Sequence, residues 1–134
     1  FKGVNIRPGK PIMFAKFKNN MCFFGLPGNP ISSAACFKFF VYPYLRSILN
    51  MKNEKPFKAR LKNNYKKKKN FTRFLKGKVS SNNKGILEIE VLKGQESFRI
   101  KSFTKANTWC LFKSGKSTFK KGDLIECFNL LGGQ

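Results

Sequence analysis

The sequence contains no histidine and only six acidic residues among its 134. The first absence removes the usual neutral-pH acid-base group and the common partner of cysteine at zinc. The four cysteines, Cys22, Cys36, Cys110 and Cys127, show no CxxC spacing, so buried reduced thiols are expected rather than a Cys/His metal site. The carboxylates are Glu54, Glu88, Glu90, Glu96, Asp123 and Glu126, and magnesium ligands cannot be assigned from them. No apolar run reaches the length of a membrane span, and the first residues lack the order of a signal peptide. The expectation is a cytoplasmic protein with no membrane partner.

Arginine is also scarce. Only Arg7, Arg46, Arg60, Arg73 and Arg99 contribute to the 28 basic residues, so the net charge of +22 is carried mainly by lysine. Lysine, asparagine, isoleucine and phenylalanine share A/T-rich codons, which explains the excess without a nucleic-acid partner. The residue best suited to bidentate phosphate and guanine contacts is the rare one. Nucleic acid is therefore not the expected partner.

What is present is material for a core. Apolar residues make up 41% of the chain and aromatics 15%, with phenylalanine spread along its length, enough for one domain or two small ones. Phe1, rather than a methionine, opens what reads as a strand, so a piece of a larger protein is expected.

Residues 1–54 read as strand and helix. Phe1 to Ile6 and Pro11 to Phe17 are strand candidates around a Pro8-Gly9 turn, and Met21 to Leu26 reads as a strand covered on both faces. Asn29 caps and Pro30 starts a helix whose apolar residues cover most of its surface, so burial is expected, with Pro43 kinking or dividing it. Asn50 to Pro56 is a polar linker. Beyond it the period becomes two, and Phe57–Lys62, Phe71–Val79, Ile86–Leu92, Thr108–Phe112 and Leu124–Phe128 are expected strands of a small barrel or sandwich with Trp109 in its core. The run Lys66 to Lys69 reads as a solvated loop, Ser114 to Ser117 as a hairpin turn, and Gly132 to Gln134 as a frayed end. Glu88 and Glu90 share a strand face that is expected to be solvated.

Two segments suggest chemistry. In Gly25-Leu26-Pro27-Gly28-Asn29-Pro30-Ile31-Ser32, a strand feeds a glycine-containing turn that opens a helix, where free amides and the positive dipole end favour an anion. Ser32 and Ser33 add hydroxyls, and Gly25 and Gly28 permit close backbone approach. In Arg7-Pro8-Gly9-Lys10-Pro11, a proline-restricted bend offers two cations. Either segment alone is also ordinary architecture, since Asn-Pro often starts helices and Pro-Gly often turns.

Together these segments resemble the paired K/R-P-G-K-P and G-L-P-G-N-P-V-S signatures of the molybdopterin molybdenumtransferases, bacterial relatives of the gephyrin E domain. Phe37, Phe40, Val41, Pro43 and Leu45 are similar to the family's F-E-x-F-V-x-P-x-L continuation, with Lys38 in the glutamate position. Phe71 to Gly77 resembles its R-x-x-F-x-R-G strand, with Phe71 and Lys76 replacing the arginines. Gly94 to Ser97 resembles G-x-G-S with Glu96 for the second glycine, and Ser102 to Asn107 resembles S-L-A-x-A-N/D.

The resemblance implies an α/β fragment, the C-terminal part of a MogA-like molybdopterin-binding domain, over residues 1–54, and a small all-β barrel-like domain over 55–134. It also implies a magnesium-dependent transferase that inserts molybdate into adenylylated molybdopterin, giving molybdenum cofactor and AMP, and acting as a homodimer. Arg7, Lys10 and Ser32 are the implied catalytic residues. Pro8, Gly9, Pro11, Gly25, Pro27, Gly28, Asn29, Pro30 and Ser33 are the implied cofactor contacts. The family's upstream acidic pterin motif is not in these residues, so the chain alone is expected to be inactive. The rival reading is a basic barrel that binds RNA or single-stranded DNA, drawn from charge and aromatic content.

Overall fold

The structure is a computed structural model that describes residues 1–131; the frayed end expected at residues 132–134 lies outside the described residues. In chain order the elements are β1 (Ile6–Arg7), β2 (Met13–Lys16), β3 (Cys22–Gly25), α1 (Pro30–Cys36), a π-helical segment (Phe37–Val41) and α2 (Tyr42–Ile48). There follow β4 (Phe57–Leu61), β5 (Tyr65–Lys66), β6 (Thr72–Ser81), β7 (Leu87–Val91), α3 (Ile100–Thr104), β8 (Thr108–Phe112), β9 (Thr118–Phe119) and β10 (Leu124–Asn129).

Five of these strands close into a barrel. Their order is β6-β7-β4-β10-β8, with β8 pairing back onto β6 from Arg73↔Phe112 to Gly77↔Thr108. Closure leaves these strands without a free sheet edge. The two-residue alternation of each strand fills the interior with Ala59, Leu61, Leu75, Ile89, Cys110, Phe112, Phe119, Ile125 and Cys127. At Gly77, β6 passes from one partner strand to another. A Cβ there would stand 2.3 Å from Cys110 Sγ and 2.8 Å from Ile89 Cδ1, so the close approach requires glycine.

A second core lies on the barrel's outer wall, where Ile6, Ile31, Ala35, Phe74 and Trp109 meet. Phe39 stacks on Phe74 at 3.9 Å and meets Trp109 and Phe128 edge-on. Trp109, expected inside the barrel, therefore faces outward, because Cys110 and Phe112 take the inward positions of β8. The strand-helix segment thus docks on the barrel through this aromatic cluster. It is also hydrogen-bonded to it, since β1 pairs in parallel with the start of β6, Ile6↔Thr72 and Arg7↔Arg73.

Asn29 Oδ1 caps α1 as expected, accepting from the amides of Ile31 and Ser32 at 3.2 and 3.5 Å. Pro43 has no amide to return to Phe39, and the helix widens just before it: Tyr42 N donates to Phe37 O, one residue further back than in an α-turn. The expected burial of the whole helix is corrected. Phe37, Leu45, Ile48 and Leu49 are exposed, because only one side meets the barrel. The expectation that β3 is covered on both faces is corrected too. β3 pairs only with β2, and Phe23 is exposed while Phe24 rests on Tyr44.

The lysine run is not a solvated loop throughout. Lys66 pairs with Thr118 through the short β5–β9 ribbon. Lys67 is buried and donates to the carbonyls of Phe71 and Lys68 at 2.8 and 3.3 Å, so local carbonyls replace the water its charge loses. The first expected strand shrinks to Ile6–Arg7 plus an isolated Lys2↔Met13 bridge.

Candidate functional site

A cleft of about 760 Å³ opens where the β1 bend, the start of α1 and the loop after β7 meet. Arg7, Pro8, Gly9, Lys10, Pro11 and Ser32 line it on one side. Arg73, beside Arg7 on the paired strand, continues this wall, and Tyr65 and residues 91–98 complete the lining.

The bend is held in place by its own backbone. Val4 N bonds Lys10 O at 3.0 Å, Gly3 N bonds Ile12 O at 2.8 Å, and Ile12 is completely buried as an anchor. Gly9 has φ +108°, and a Cβ there would lie 2.6 Å from Cys36 Sγ; only glycine lets the bend sit this close to α1. Cys36 Sγ donates to Gly9 O at 3.6 Å. These contacts bring Lys10 to the same cleft as Ser32, 22 residues later in the chain.

The cleft is strongly positive. Arg7, Lys10, Arg73 and Lys93 line it without an ion-pair partner among the described residues. Its one carboxylate, Glu96, lies 3.3 Å from Arg99 Nε. Phe71 provides a shared aromatic shelf, with the Arg7 guanidinium carbon 5.7 Å and Lys10 Nζ 6.0 Å from its ring centre. Arg73 Nε is buried and has no hydrogen-bond partner among the described residues. Burial, and secondarily the Arg73 charge, hold the Lys67 ammonium below the ordinary lysine pKa.

The opposite lip hangs on Lys76, which is almost completely buried in β6. Its Nζ donates to the carbonyls of Gly94 at 2.6 Å, Arg99 at 3.2 Å and Glu96 at 3.3 Å. Gln95 completes the clamp: its amide nitrogen donates to Lys76 O and Leu92 O, and its oxygen accepts from Lys76 N at 2.9 Å. Burial lowers the Lys76 pKa, against a smaller opposing effect of Glu96.

Of the residues singled out from the sequence, Arg7, Pro8, Gly9, Lys10, Pro11 and Ser32 share the cleft. Gly25, Pro27, Gly28, Asn29, Pro30 and Ser33 do not line it. The need for glycine at Gly25 is met by packing, since a Cβ would fall 2.9 Å from Met13 Cε, whereas Gly28 has open space at that position. The amides expected to face an anion are corrected as well. Those of Ile31 and Ser32 are taken by Asn29 Oδ1, and Ser33 N bonds Asn29 O at 2.8 Å. The Ser32 hydroxyl remains as the donor of this turn.

Sequence reasoning missed Arg73, Tyr65 and Lys93 as cleft residues. The usable signal was Arg73 itself, an arginine kept in a lysine-biased chain. Among the described residues no three His, Cys, Asp or Glu side chains cluster to hold a metal ion. No helix among them is long and apolar enough to cross a membrane. A smaller cavity of about 200 Å³ lies beside Lys38, whose ammonium pairs with Glu54 at 2.5 Å.

Comparison with known proteins covers both parts of the chain. The family described as MoeA C-terminal region (domain IV) matches residues 58–130, and that described as probable molybdopterin binding domain matches residues 1–47. The molybdopterin molybdenumtransferase of Haemophilus influenzae is 33% identical over 138 residues, covering 99% of this chain and 34% of the relative. The molybdenum cofactor synthesis protein cinnamon of Drosophila melanogaster is 54% identical over 43 residues, 32% of this chain and 7% of the relative. Among solved structures, a molybdopterin biosynthesis moeA protein from Pyrococcus horikoshii OT3 superposes with a TM-score of 0.74 at 23% identity, over 95% of this chain and 31% of the other. The chain spans about a third of the length of the curated full-chain relatives it matches.

Proposed function

The chain belongs to the family of the MoeA C-terminal region, and on that premise we propose that its cleft is an oxyanion-binding wall of a molybdopterin molybdenumtransferase. The observation that carries this reading is the meeting of Arg7, Lys10 and Ser32 in one cleft whose cations have no carboxylate partners among the described residues. Molybdate is a dianion. Two cations and a hydroxyl donor would attract it and fix its orientation beside adenylylated molybdopterin, so the gain comes from positioning and charge stabilisation rather than from a covalent nucleophile.

Pro8, Gly9 and Pro11, which line the same cleft, would touch the pterin substrate in this reading. Gly28, with open space in front of it, suits close backbone approach just outside. Gly25, Pro27, Asn29, Pro30 and Ser33 act in this reading by shaping the turn and the helix start. Residues 1–54 then form the pterin-side part and residues 55–134 the barrel part. The described residues do not fit a magnesium site, since no three candidate ligands cluster and Glu96 is paired with Arg99. Magnesium used in the reaction would be held by other groups, such as those of a second subunit in a cytoplasmic homodimer.

The rival reading, a barrel that stacks nucleic-acid bases, needs exposed aromatic rings. On the barrel, Phe74, Trp109, Phe112 and Phe119 are buried, and the exposed rings of Phe1, Phe17, Phe23, Phe37 and Phe98 all lie outside its strands. The deciding experiment measures molybdate insertion by the full protein carrying this chain, with Lys10→Ala and Ser32→Ala. Loss of insertion in both variants is expected; normal activity in both would remove the assignment.

A further inference from the structure

Of the four cysteines, two face each other. Cys110 on β8 and Cys127 on β10 are register partners across an antiparallel ladder, and both are fully buried in the barrel core. Cys36 lies elsewhere, with its Sγ on Gly9 O, and Cys22 is half-buried beside Asn20 O. Residues directly opposite on one face of such a ladder have Cβ atoms about 4.5–5.5 Å apart, and a disulfide needs about 3.5–4.5 Å. A small closing of the two strands therefore brings the sulfurs into bonding range. They are already hydrogen-bonded: the Cys110 thiol donates to Cys127 Sγ, which in turn donates to Ile125 O at 3.5 Å.

We infer that Cys110 and Cys127 form an oxidation site inside the barrel, which hydrogen peroxide converts into a cross-strand disulfide and a dithiol converts back. The attacking species is a thiolate. The hydrogen bond from Cys110 holds the Cys127 thiol below its ordinary pKa, against burial, whereas the same bond together with burial holds Cys110 well above its own. Cys127 therefore reacts first. Its sulfur bonds one peroxide oxygen, the O–O bond breaks, and the departing hydroxide takes the Cys127 proton as water, leaving a sulfenic acid. The Cys110 sulfur then attacks the Cys127 sulfur; the S–S bond forms, the S–O bond breaks, and the second hydroxide takes the Cys110 proton. The pair of thiols loses a pair of electrons, and peroxide ends as water.

Both sulfurs lie out of water, so the oxidant enters as the barrel opens locally. Hydrogen peroxide, little larger than water, needs less opening than a bulky alkylating reagent. The new bond closes the segment from Cys110 to Cys127, which carries β9 and, through its pairing with β5, adjoins Tyr65 at the cleft. It ties β8 to β10 covalently and restricts the unfolded chain. Oxidation thus stiffens the barrel whatever the cleft binds.

The test is hydrogen peroxide treatment of the folded, fully reduced 134-residue chain carrying Cys22→Ser, which removes the half-buried competing thiol. Alkylation in denaturant followed by peptide mass mapping should find the Cys110 and Cys127 peptides joined, lighter by a pair of hydrogens, with Cys36 still free. The oxidised chain should melt about 5 °C or more above the reduced one. Dithiothreitol should restore both the mass and the melting temperature. Cys110→Ser should leave Cys127 as a sulfenic acid that dimedone traps, and Cys127→Ser should slow the oxidation of Cys110. The assignment is overturned if peroxide leaves both barrel thiols free, if it links them only after urea has unfolded the chain, or if either joins Cys36 instead. Should Cys22→Ser not fold, wild type alkylated at Cys22 beforehand gives the same readings.

Discussion

Lys76 Nζ, buried in the barrel wall, donates to the carbonyl of Gly94 at 2.6 Å and so ties the lip of the cleft to the strand that carries Arg73. The same ammonium serves Glu96 O and Arg99 O. Its removal would leave three carbonyls without this donor.

Gly94 O and Arg99 O would still accept from Ser102 Oγ, and Glu96 O from Arg99 N, so Lys76→Met is expected to destabilise the chain by about 1.5–3 kcal/mol, the usual net worth of a hydrogen bond to a charged group. It should also loosen residues 94–99. Urea unfolding gives the first quantity and amide exchange the second. Lys76→Arg, which restores the family's residue, should keep the loop protected. Unchanged exchange in Lys76→Met would mean that Gln95 and Ser102 hold the loop unaided.

Gly77→Ala is expected to cost about 1–3 kcal/mol through overpacking. The new methyl would collide first with Cys110 Sγ and then with Ile89. In a double-mutant cycle, Cys110→Ala should relieve part of that cost by removing the sulfur. Strict additivity of the two changes would show that the clash is absorbed elsewhere.

Burial pushes the Cys36 thiol up from 9.0 to about 11. A raised folded-state pKa stabilises the fold below the unfolded value, and that contribution is lost as pH climbs through the folded one. Stability should accordingly decline between pH 9 and about 11, and Cys36→Ala should show a shallower decline than wild type over the same window. At neutral pH iodoacetamide should modify half-buried Cys22 first, leaving Cys36, Cys110 and Cys127 unmodified until unfolding, as peptide mass mapping would reveal.

The isolated 134-residue chain is expected to bind an oxyanion without inserting molybdate into adenylylated molybdopterin. It presents the cationic wall, while its described residues form no metal-binding cluster. Chromatographic assay of cofactor and AMP tests this; multiple turnovers by the purified chain would contradict it.

The parts legible in the sequence are those governed by neighbouring residues. Asn29 and Pro30 announce the helix start because capping is a matter of three or four residues. Thr108–Phe112 forms a strand over the full range its alternation suggests. The illegible parts depend on what folds against them. Nothing local distinguishes buried Lys67 and Lys76 from the exposed lysines beside them, because distant or looping carbonyls decide their fate. The two-residue β5 and β9 are defined only by each other. Trp109 carried the right hydrophobicity but an ambiguous side, set by which parity of β8 turns inward. At the site, the paired motifs point to Arg7, Lys10 and Ser32, while Arg73, marked in the sequence only as an arginine among many lysines, takes its place in the cleft through strand register.

The parallel ladder between β1 and β6 gives the bend and the barrel mouth a common backbone foundation. Spreading them like jaws would require tearing main-chain bonds, so an ion captured as proposed would meet a saddle whose curvature was set when the chain folded. Its recognition would then need only the swivelling of a few long side chains, with little ordering entropy to oppose capture.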